Sequence, residues 1–301
     1  MISLSVITVT YNSQNEIRDF LDSAIPEISS LQGTLIIIDN NSKDDTVELI
    51  QSYSDNSAVL SLIINKKNVG FSRANNQGIN QAKGEYLLFL NPDIIVPKDS
   101  INKLLKSIRS RKTLGAVAPQ LRYPTGNIQR SCRRFPQRRD VLYEIIGLSR
   151  LFKYSTRFGH WKMADFSFNE NRNVDQPAGA ALMIKRDLIN RLNGFDTSFP
   201  MFFSDVDLCR RIWNDGYQIL FDASVSMIHL GGASIRRVPF RMIVSSHRSF
   251  YTYFRKNYLG RSNQILNVLT GFVLLLALIP RIIIVQPLLR ILPFSSGREN
   301  L

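Results

Sequence analysis

The sequence YLLFLNPD, residues 86–93, places five apolar residues directly before a turn that ends in a carboxylate. An unbroken apolar run suits a strand that is buried on both faces, as in a parallel sheet. Pro92 lacks a backbone N–H and ends the pairing, so we expect Asp93 at the carboxyl end of this strand. Ligands bind at that edge in open α/β sheets, which makes Asp93 a candidate metal or phosphate residue. A simple Pro-Asp turn is the alternative.

Three similar strand-and-helix units precede this strand. The β-rich runs are residues 4–10, 34–38 and 60–65, and a helical pattern follows each one. Four strands that alternate with helices predict an α/β fold with a mostly parallel central sheet.

Capping boxes are predicted at three helix starts. Their residues are Ser13 with Glu16, Ser42 with Asp45, and Ser204 with Asp207. Asp39 has no comparable structural role, and it ends a predicted strand as Asp93 does. Two carboxylates at one sheet edge are a stronger indication of a ligand site than one.

The chain after residue 163 carries three further candidate features. An apolar strand is predicted over Val174–Arg186, where the small residues 178–181 permit close approach of either a ligand or neighbouring backbone. Asp205 shares a helical stripe with apolar residues and has no cation nearby in sequence, so it lacks a structural explanation. A strand over Tyr217–Ile228 leads to His229, a residue that is usually structural at such a position.

Composition bounds the class of protein. The chain has 301 residues, of which 44% are hydrophobic, so it can bury a large core and is not of the disordered class. Its two cysteines are far apart with neither metal spacing nor a disulfide framework, which suits a reducing compartment. The N-terminal residues lack a charged region and a cleavage site, so we expect a cytosolic start.

The net charge of +14 is segregated along the chain. Residues 98–162 carry 16 basic and three acidic residues, and residues 236–301 carry ten and one, while the other two blocks are mildly acidic. A basic surface can meet nucleic acid, anionic lipid or a phosphorylated ligand, and charge alone does not choose among them.

The C-terminal residues differ in character from the rest. Residues 240–259 are aromatic and basic, and residues 268–279 are almost entirely apolar until Pro280 and Arg281 interrupt. This run is shorter than the roughly 18 to 20 residues of a spanning helix, so we predict an interfacial or re-entrant segment. A helix buried against the domain or against a dimer partner is the alternative. We therefore divide the chain into residues 1–235 and a helical, membrane-associating region at 236–301.

Seven motifs taken together resemble the family 2 glycosyltransferases of the GT-A fold. The motifs are VITVTYN at 6–12, DNNSKDD at 39–45, NVGFSRANNQGI at 68–79, FLNPD at 89–93, AGAALMIKR at 178–186, FSDVDLCRR at 203–211 and HLGGAS at 229–234. These are inverting enzymes with nucleotide-sugar donors, and the sequence looks most like rhamnosyltransferase-like members that build cell-surface polysaccharides on a lipid carrier. No single motif is specific, but their order and spacing are.

The resemblance implies roles for particular residues. Asp205 matches the catalytic base, and Asp93 with His229 would hold a divalent cation, Mg²⁺ or Mn²⁺, that bridges the donor diphosphate. The matching positions for the nucleotide sugar are Thr8, Tyr11, Asp39, Asn68, Arg73, Asn75 and Gly179. Asn91 stands where many relatives carry an acid, so this chain brings one carboxylate fewer to the metal.

The implied partners are a nucleoside-diphosphate sugar donor, a polyprenyl-diphosphate-linked or glycan acceptor, and an anionic membrane surface at the cytoplasmic face, with no nucleic acid. A homodimer also fits. The competing hypothesis is a non-enzymatic basic adaptor that binds nucleic acid or anionic membrane. This hypothesis explains the basic charge but assigns no function to Asp39, Asp93 and Asp205.

Overall fold

The structure, a computed structural model, describes residues 4–54, 57–231 and 239–291. The strands are β1 Leu4–Thr10, β2 Thr34–Asp39, β3 Leu60–Ile64, β4 Tyr86–Leu90, β5 Ile94–Ile95, β6 Leu114–Arg122, β7 Cys132–Arg133, β8 Arg172–Asn173, β9 Gln176–Pro177, β10 Ala181–Lys185 and β11 Gln218–His229. The helices are α1 Ile17–Ser30, α2 Thr46–Ser54, α3 Phe71–Gln81, α4 Ser100–Arg109, α5 Arg138–Ile145, α6 Leu148–Leu151, α7 Arg186–Arg191, α8 Ser204–Asn214, α9 Pro239–Asn257 and α10 Arg261–Ile291.

One central sheet has the strand order β3-β2-β1-β4-β10-β6-β11-β5, and β8 pairs with β11 beside this path. The strands β1 to β4 are mutually parallel where they pair, as predicted. Strand β10 is antiparallel to both β4 and β6, whereas β11 is parallel to β6. The mostly parallel α/β prediction is confirmed, with β10 as an antiparallel insertion at the centre.

Helices cover both faces of the sheet, and β4 shows why. All five of its residues are buried, and they alternate between two apolar cores. Leu88 packs with residues of α1 and α4, while Phe89 on the opposite face packs with residues of α3 and α8. A strand that needs apolar side chains on both faces reads as an uninterrupted apolar run, which is the pattern that the sequence carries.

The predicted strand over Val174–Arg186 is divided. Residues 176–177 form β9, which pairs with β7, and β10 begins only at Ala181. Between them, the Ala178 N–H donates to the carbonyl oxygen of Ser131 at 2.8 Å, which directs the chain away from the sheet. Gly179 and Ala180 therefore form a connection at the sheet edge.

The three predicted capping boxes are wrong. Helix α1 starts at Ile17, and the Ser13 N–H instead donates to Thr46 Oγ1 at 2.7 Å. The Ser42 hydroxyl donates to Asp39. Helix α8 starts at Ser204 itself, whose hydroxyl donates to the carbonyl oxygen of Met201. In each case the serine donates a hydrogen bond to a residue outside its proposed capping box.

The C-terminal helices pack on the domain through a third apolar cluster. It joins side chains of α5, α8, α9 and α10, and its buried members are Val141, Phe199, Phe203, Val206, Phe250, Tyr253, Phe254 and Leu274. Helix α10 continues through Pro280 and Arg281, the two residues that end the apolar run in the sequence. Loss of one N–H leaves the rest of the helical ladder in place, and 31 residues span about 46 Å at 1.5 Å per residue.

Candidate active site

Asp39 ends β2 beside the end of β1 and is fully buried. Its carboxylate accepts hydrogen bonds from Thr10 Oγ1 at 3.0 Å, from the Ser42 N–H at 2.9 Å and from the Ser42 hydroxyl. Our inference that Asp39 lacks a structural role is therefore wrong. It holds the loop after β2 against β1, and it can act on a nucleotide only by shaping the surface around it.

Three consecutive backbone amides of the glycine-bearing loop before α3 are engaged within the protein. The Val69 N–H donates to Asn40 Oδ1 at 2.9 Å, and the Gly70 N–H donates to Asn68 Oδ1 at 2.9 Å. The Phe71 N–H donates to the carbonyl oxygen of Pro200 at 2.7 Å. Gly70 has φ +87°, a conformation that favours glycine, so this turn is structural.

The other positions assigned to the nucleotide sugar differ in accessibility. Thr8 and Asn75 are buried, and the Asn75 amide donates to the carbonyl oxygen of Phe71 at 2.9 Å. Tyr11 is 42% exposed, and Arg73 is exposed on the first turn of α3. Tyr11 and Arg73 are thus the members of this group that a nucleotide could contact directly.

Asp93 and His229 lie together, as the metal assignment requires. Strand β5 follows Asp93 and pairs with the end of β11, so that Ile94 stands opposite His229. The Leu230 N–H donates to the Asp93 carbonyl oxygen at 3.0 Å, and His229 Nε2 lies 3.4 Å from Asp93 Oδ1. This short antiparallel pairing brings together Asp93 and His229, which are more than 130 residues apart in the sequence.

The pair fits a divalent cation in the chemistry of its donors. Asp93 Oδ1 is buried and has no hydrogen-bond partner in the part of the chain that the structure describes. A buried carboxylate oxygen without a partner is costly, and a cation would satisfy it. Among the described residues, no cluster of three or more His, Cys, Asp or Glu side chains could hold an ion. Nucleotide oxygens and water would therefore have to complete the coordination.

Asp205 lies in the first turn of α8, against the connection between β9 and β10. The Gly179 N–H donates to Asp205 Oδ2 at 3.0 Å, and the Val206 N–H donates to Oδ1 at 2.9 Å. A Cβ atom at residue 179 would lie 3.1 Å from Asp205 Cβ, so only glycine permits this approach without displacement. The close-packing reading of the small residues is confirmed for Gly179, and the residue that it approaches is the candidate base.

Short backbone links connect the Asp205 carboxylate to the turn that carries Asp93. Gly179 binds Asp205, and the next residue, Ala180, accepts the Asn91 N–H at 2.9 Å. Asn91 begins the turn that ends in Asp93. The candidate base and the candidate metal pair thus lie on either side of the Gly179–Ala180 connection.

Burial raises the pKa of the Asp205 carboxyl, and the hydrogen bonds from Gly179 and Val206 only partly offset this effect. Some of the residue stays accessible to solvent, while its carboxylate oxygens lie among protein atoms. The sequence alone does not show whether desolvation, which raises the pKa of Asp205, outweighs the helix N-terminus, which lowers it. In the structure the effect of desolvation on the pKa is the larger one. A carboxylate with a raised pKa is a better proton acceptor than an ordinary aspartate.

Asp207 has a structural environment instead. It is buried, and its two oxygens accept from Arg211 Nε at 2.7 Å and from Lys256 Nζ at 2.6 Å. Lys256 also donates to Asp196 at 2.6 Å. Arg210 and Arg211 both follow Asp207 at helical spacing, and the structure pairs it with Arg211. Lys256 adds a link from α8 to α9.

Much of the basic segment within residues 98–162 is committed to contacts inside the protein. Arg130 donates to the carbonyl oxygen of Met163 at 2.7 Å, and Arg134 pairs with Asp165 at 2.7 Å. Arg138 donates to Asn267 Oδ1 at 2.7 Å and thereby holds α5 to α10. A basic adaptor would need these side chains free.

Two residues of the site were given no role by the sequence analysis. Asn40 holds the loop before α3 through Val69, and Gln129 binds His229, which is 100 residues away in sequence. Asn40 belongs to the motif at 39–45, but only the fold shows the partners of these two amides.

Known proteins resemble this chain in sequence and in fold. A profile described as "Glycosyl transferase family 2" matches residues 5–172, more than half of the chain. The N-acetylglucosaminyl-diphospho-decaprenol L-rhamnosyltransferase of Mycobacterium tuberculosis is 25% identical over 271 residues, which cover 85% of each chain. Rhamnosyltransferase WbbL of Escherichia coli is 26% identical over 169 residues, 53% of this chain and 60% of WbbL.

Two solved structures resemble the fold. A mannosyltransferase of Pyrobaculum calidifontis in complex with GDP-Man and Mn²⁺ has a TM-score of 0.57 at 17% identity, with 93% of this chain and 75% of that chain covered. TarS 1-349 of S. aureus has a TM-score of 0.56 at 15% identity, with coverage of 93% and 82%. The expected GT-A type of α/β architecture is confirmed.

Proposed function

Because this chain belongs to glycosyl transferase family 2 and is a nucleotide-sugar-dependent glycosyltransferase, we propose that it transfers a sugar with inversion to a lipid-linked or polysaccharide acceptor. We propose rhamnose as the sugar, because two relatives are named rhamnosyltransferases. One of them matches 85% of this chain and the other matches 53%. The single observation that supports the reaction best is the Asp205 carboxylate, held by Gly179 next to the turn of Asp93.

Asp205 acts as the general base in a single displacement. Its carboxylate accepts the proton of the acceptor hydroxyl as that oxygen bonds to the anomeric carbon and the nucleoside diphosphate departs. Its raised pKa favours this step, and the Gly179 and Val206 N–H groups keep the carboxylate in one orientation. The mechanism has one displacement and no covalent sugar–enzyme intermediate, so the anomeric configuration inverts.

Asp93 and His229 would hold the divalent cation, and Tyr11 and Arg73 contact the donor. A bound Mg²⁺ or Mn²⁺ would supply positive charge that offsets the charge of the departing diphosphate. Asp93 Oδ1 and His229 Nε2 are 3.4 Å apart and converge on one side of the β5 and β11 pairing. Arg73 lies exposed at the start of α3, where its guanidinium can meet a phosphate. Thr8, Asp39 and Asn75 shape this surface from buried positions, and Asn68 is itself exposed.

The reaction takes place at the cytoplasmic face of a membrane, where α10 meets lipid. The stretch Arg261–Leu278 has a mean hydropathy of 1.3, and only 17% of it is buried. Helix α10 contacts the protein through a narrow stripe that includes Leu274 and Ala277. Eight apolar side chains between residues 265 and 276 are exposed, and we call them the α10 apolar face: Ile265, Leu266, Val268, Leu269, Phe272, Val273, Leu275 and Leu276.

A second exposed apolar group belongs to the catalytic domain. It comprises Leu142, Ile146, Leu151, Phe152 and Tyr154 of the α5–α6 segment. Exposed Arg139, Arg150, Lys153 and Arg157 accompany it, whereas Asp140 is buried and Glu144 is paired with Lys162. Apolar side chains among uncompensated cations suit the surface of an anionic bilayer, and Arg138 joins this segment to α10.

The test is transfer by the purified full-length protein. It is incubated with Mn²⁺, an acceptor with a sugar on a polyprenyl diphosphate, and nucleoside-diphosphate sugars that differ in base and in sugar. One donor should raise the melting temperature and give a product with an inverted anomeric centre by NMR. Transfer with retained configuration, or melting that no donor changes, would contradict the proposal.

A further inference from the structure

Gln129 is a buried glutamine that contacts His229 twice. It follows β6, and its backbone N–H donates to the carbonyl oxygen of Leu121 at 2.8 Å. Its side-chain Nε2 donates to the carbonyl oxygen of His229 at 2.7 Å, and its Oε1 lies 2.8 Å from His229 Nδ1. Leu121 lies in β6, which pairs with β11, the strand that carries His229, so the Gln129 backbone is tied to the same sheet as the ring that it contacts.

The orientation of the amide determines which ring nitrogen carries hydrogen. A carbonyl oxygen only accepts, so the amide nitrogen of Gln129 must face the His229 carbonyl. Its oxygen then faces Nδ1, and Nδ1 must donate. In the neutral ring Nε2 therefore has a free lone pair, and it is this nitrogen that lies 3.4 Å from Asp93 Oδ1.

We propose that Gln129 is a positioning residue that fixes the His229 tautomer so that Nε2 and Asp93 Oδ1 present their lone pairs to one divalent cation. The opposite tautomer would place a hydrogen on Nε2. That hydrogen would bond to Asp93 Oδ1, and both ligands would be occupied by each other. Gln129 excludes this closed arrangement, because an acceptor at Nδ1 requires the hydrogen there.

This inference rests on the metal role within the proposed function and adds a residue that does not touch the metal. Partners that orient a metal-binding histidine typically change metal affinity about 10- to 100-fold when they are mutated. Gln129 belongs to this class by geometry, since one side chain holds both the ring and the backbone of His229.

The test uses Gln129→Met, which keeps the length of the side chain and removes both hydrogen bonds. Gln120→Met is the matched control, because Gln120 is also a buried glutamine of β6 that donates to a carbonyl oxygen, that of Phe168 at 2.7 Å. The metal-free proteins are compared by ¹⁵N NMR of the imidazole rings in alkaline buffer. The chain has only three histidines, so the His229 signals can be assigned by substitution.

In the wild type and in Gln120→Met, the His229 ring should carry its hydrogen on Nδ1. In Gln129→Met the hydrogen should shift towards Nε2, and the Kd for Mn²⁺ by calorimetry should rise about 10- to 100-fold. Gln129→Glu keeps an acceptor at Nδ1, so it should retain the wild-type tautomer and most of the Mn²⁺ affinity.

A wild-type ring with hydrogen on Nε2, or Mn²⁺ affinity that is equal in Gln129→Met and wild type, would overturn the proposal. So would Gln129→Glu being as damaging as Gln129→Met, because the role would then be structural. The NMR result does not depend on catalysis. Correct tautomers and Mn²⁺ binding without sugar transfer from any donor would refute the proposed function and leave the role of Gln129 intact.

Discussion

The ion pairs of Asp207 join α8 to α9, and Asp207→Asn tests their contribution. The side chain is 1% exposed and accepts from Arg211 at 2.7 Å and from Lys256 at 2.6 Å. Asparagine keeps one acceptor oxygen and loses the charge, so about one charged hydrogen bond is lost, at about 1.5–3 kcal/mol. Breaking a buried ion pair costs about 3–5 kcal/mol. Lys256 is 35% exposed and retains its ion pair with Asp196, so we expect the variant to lose about 2–3 kcal/mol of unfolding free energy.

Thermal unfolding followed by circular dichroism measures this loss. About 2–3 kcal/mol corresponds to a melting temperature lower by roughly 5 °C in a chain of this size. Asp196→Asn is the matched control, because it removes one bond to Lys256 from a carboxylate that is 29% exposed, and its effect should be smaller. Donor affinity should stay near wild type in both. An Asp207→Asn protein that melts with the wild type yet transfers no sugar would refute the structural role.

Four further predictions concern Gly179, Asp93, the α10 apolar face and Asp196. Gly179→Ala should lower kcat at unchanged donor Kd, because its Cβ would lie 3.1 Å from Asp205 Cβ; equal kcat would contradict this. Asp93→Ala should abolish the difference in nucleoside-diphosphate affinity between Mn²⁺ and EDTA, measured by calorimetry. Leu269→Ser with Phe272→Ser should reduce sedimentation with anionic liposomes, whereas Thr270→Ser should not. Hydrogen bonds from Lys256 and Ser198 outweigh desolvation and lower the pKa of Asp196 to about 2. Its stabilising effect is therefore present above the ordinary aspartate pKa and should be lost as the pH falls towards 2 in acid-unfolding experiments.

The sheet was predictable because its strands carry a dense local signal. Residues 86–90 are apolar at every position, and the structure buries all five on two faces. The strands β1 and β2 are also almost entirely buried, whereas β3 at the end of the sheet is partly exposed. The predicted bounds of all three agree with the structure to within one residue.

Features that depend on distant partners were not predictable. The serine at 13 fits a local capping pattern, yet its N–H donates to Thr46, which is 33 residues away. The serines at 42 and 204 bond instead to residues three positions before them, Asp39 and Met201. The structural role of Asp39 was missed because one donor, Thr10, reaches it only once β1 and β2 have paired, and the local donor, Ser42, was assigned to a capping box instead. Pro280 is a local helix-breaking signal that the long apolar helix overrides.

The candidate site divides in the same way. Asp93 and Asp205 could be chosen from sequence because a carboxylate at a strand end or on an apolar helical stripe is unusual. The carboxylate of Asp207, two residues from Asp205, could be set aside because a basic residue follows at helical spacing. The pairing of Asp93 with His229 needed the fold, since the β5 and β11 contact creates it.

The most direct test of the account is the turnover of Asp205→Asn. Base catalysis typically contributes about 10² to 10⁴ in rate, so the variant should lose roughly that much kcat while its donor Kd and its fold stay near wild type. Because burial raises the pKa of Asp205, the kcat of the wild type should fall as the pH drops through that raised value, and the variant should lack this limb. Near wild-type turnover in a folded Asp205→Asn protein would show that another group is the base.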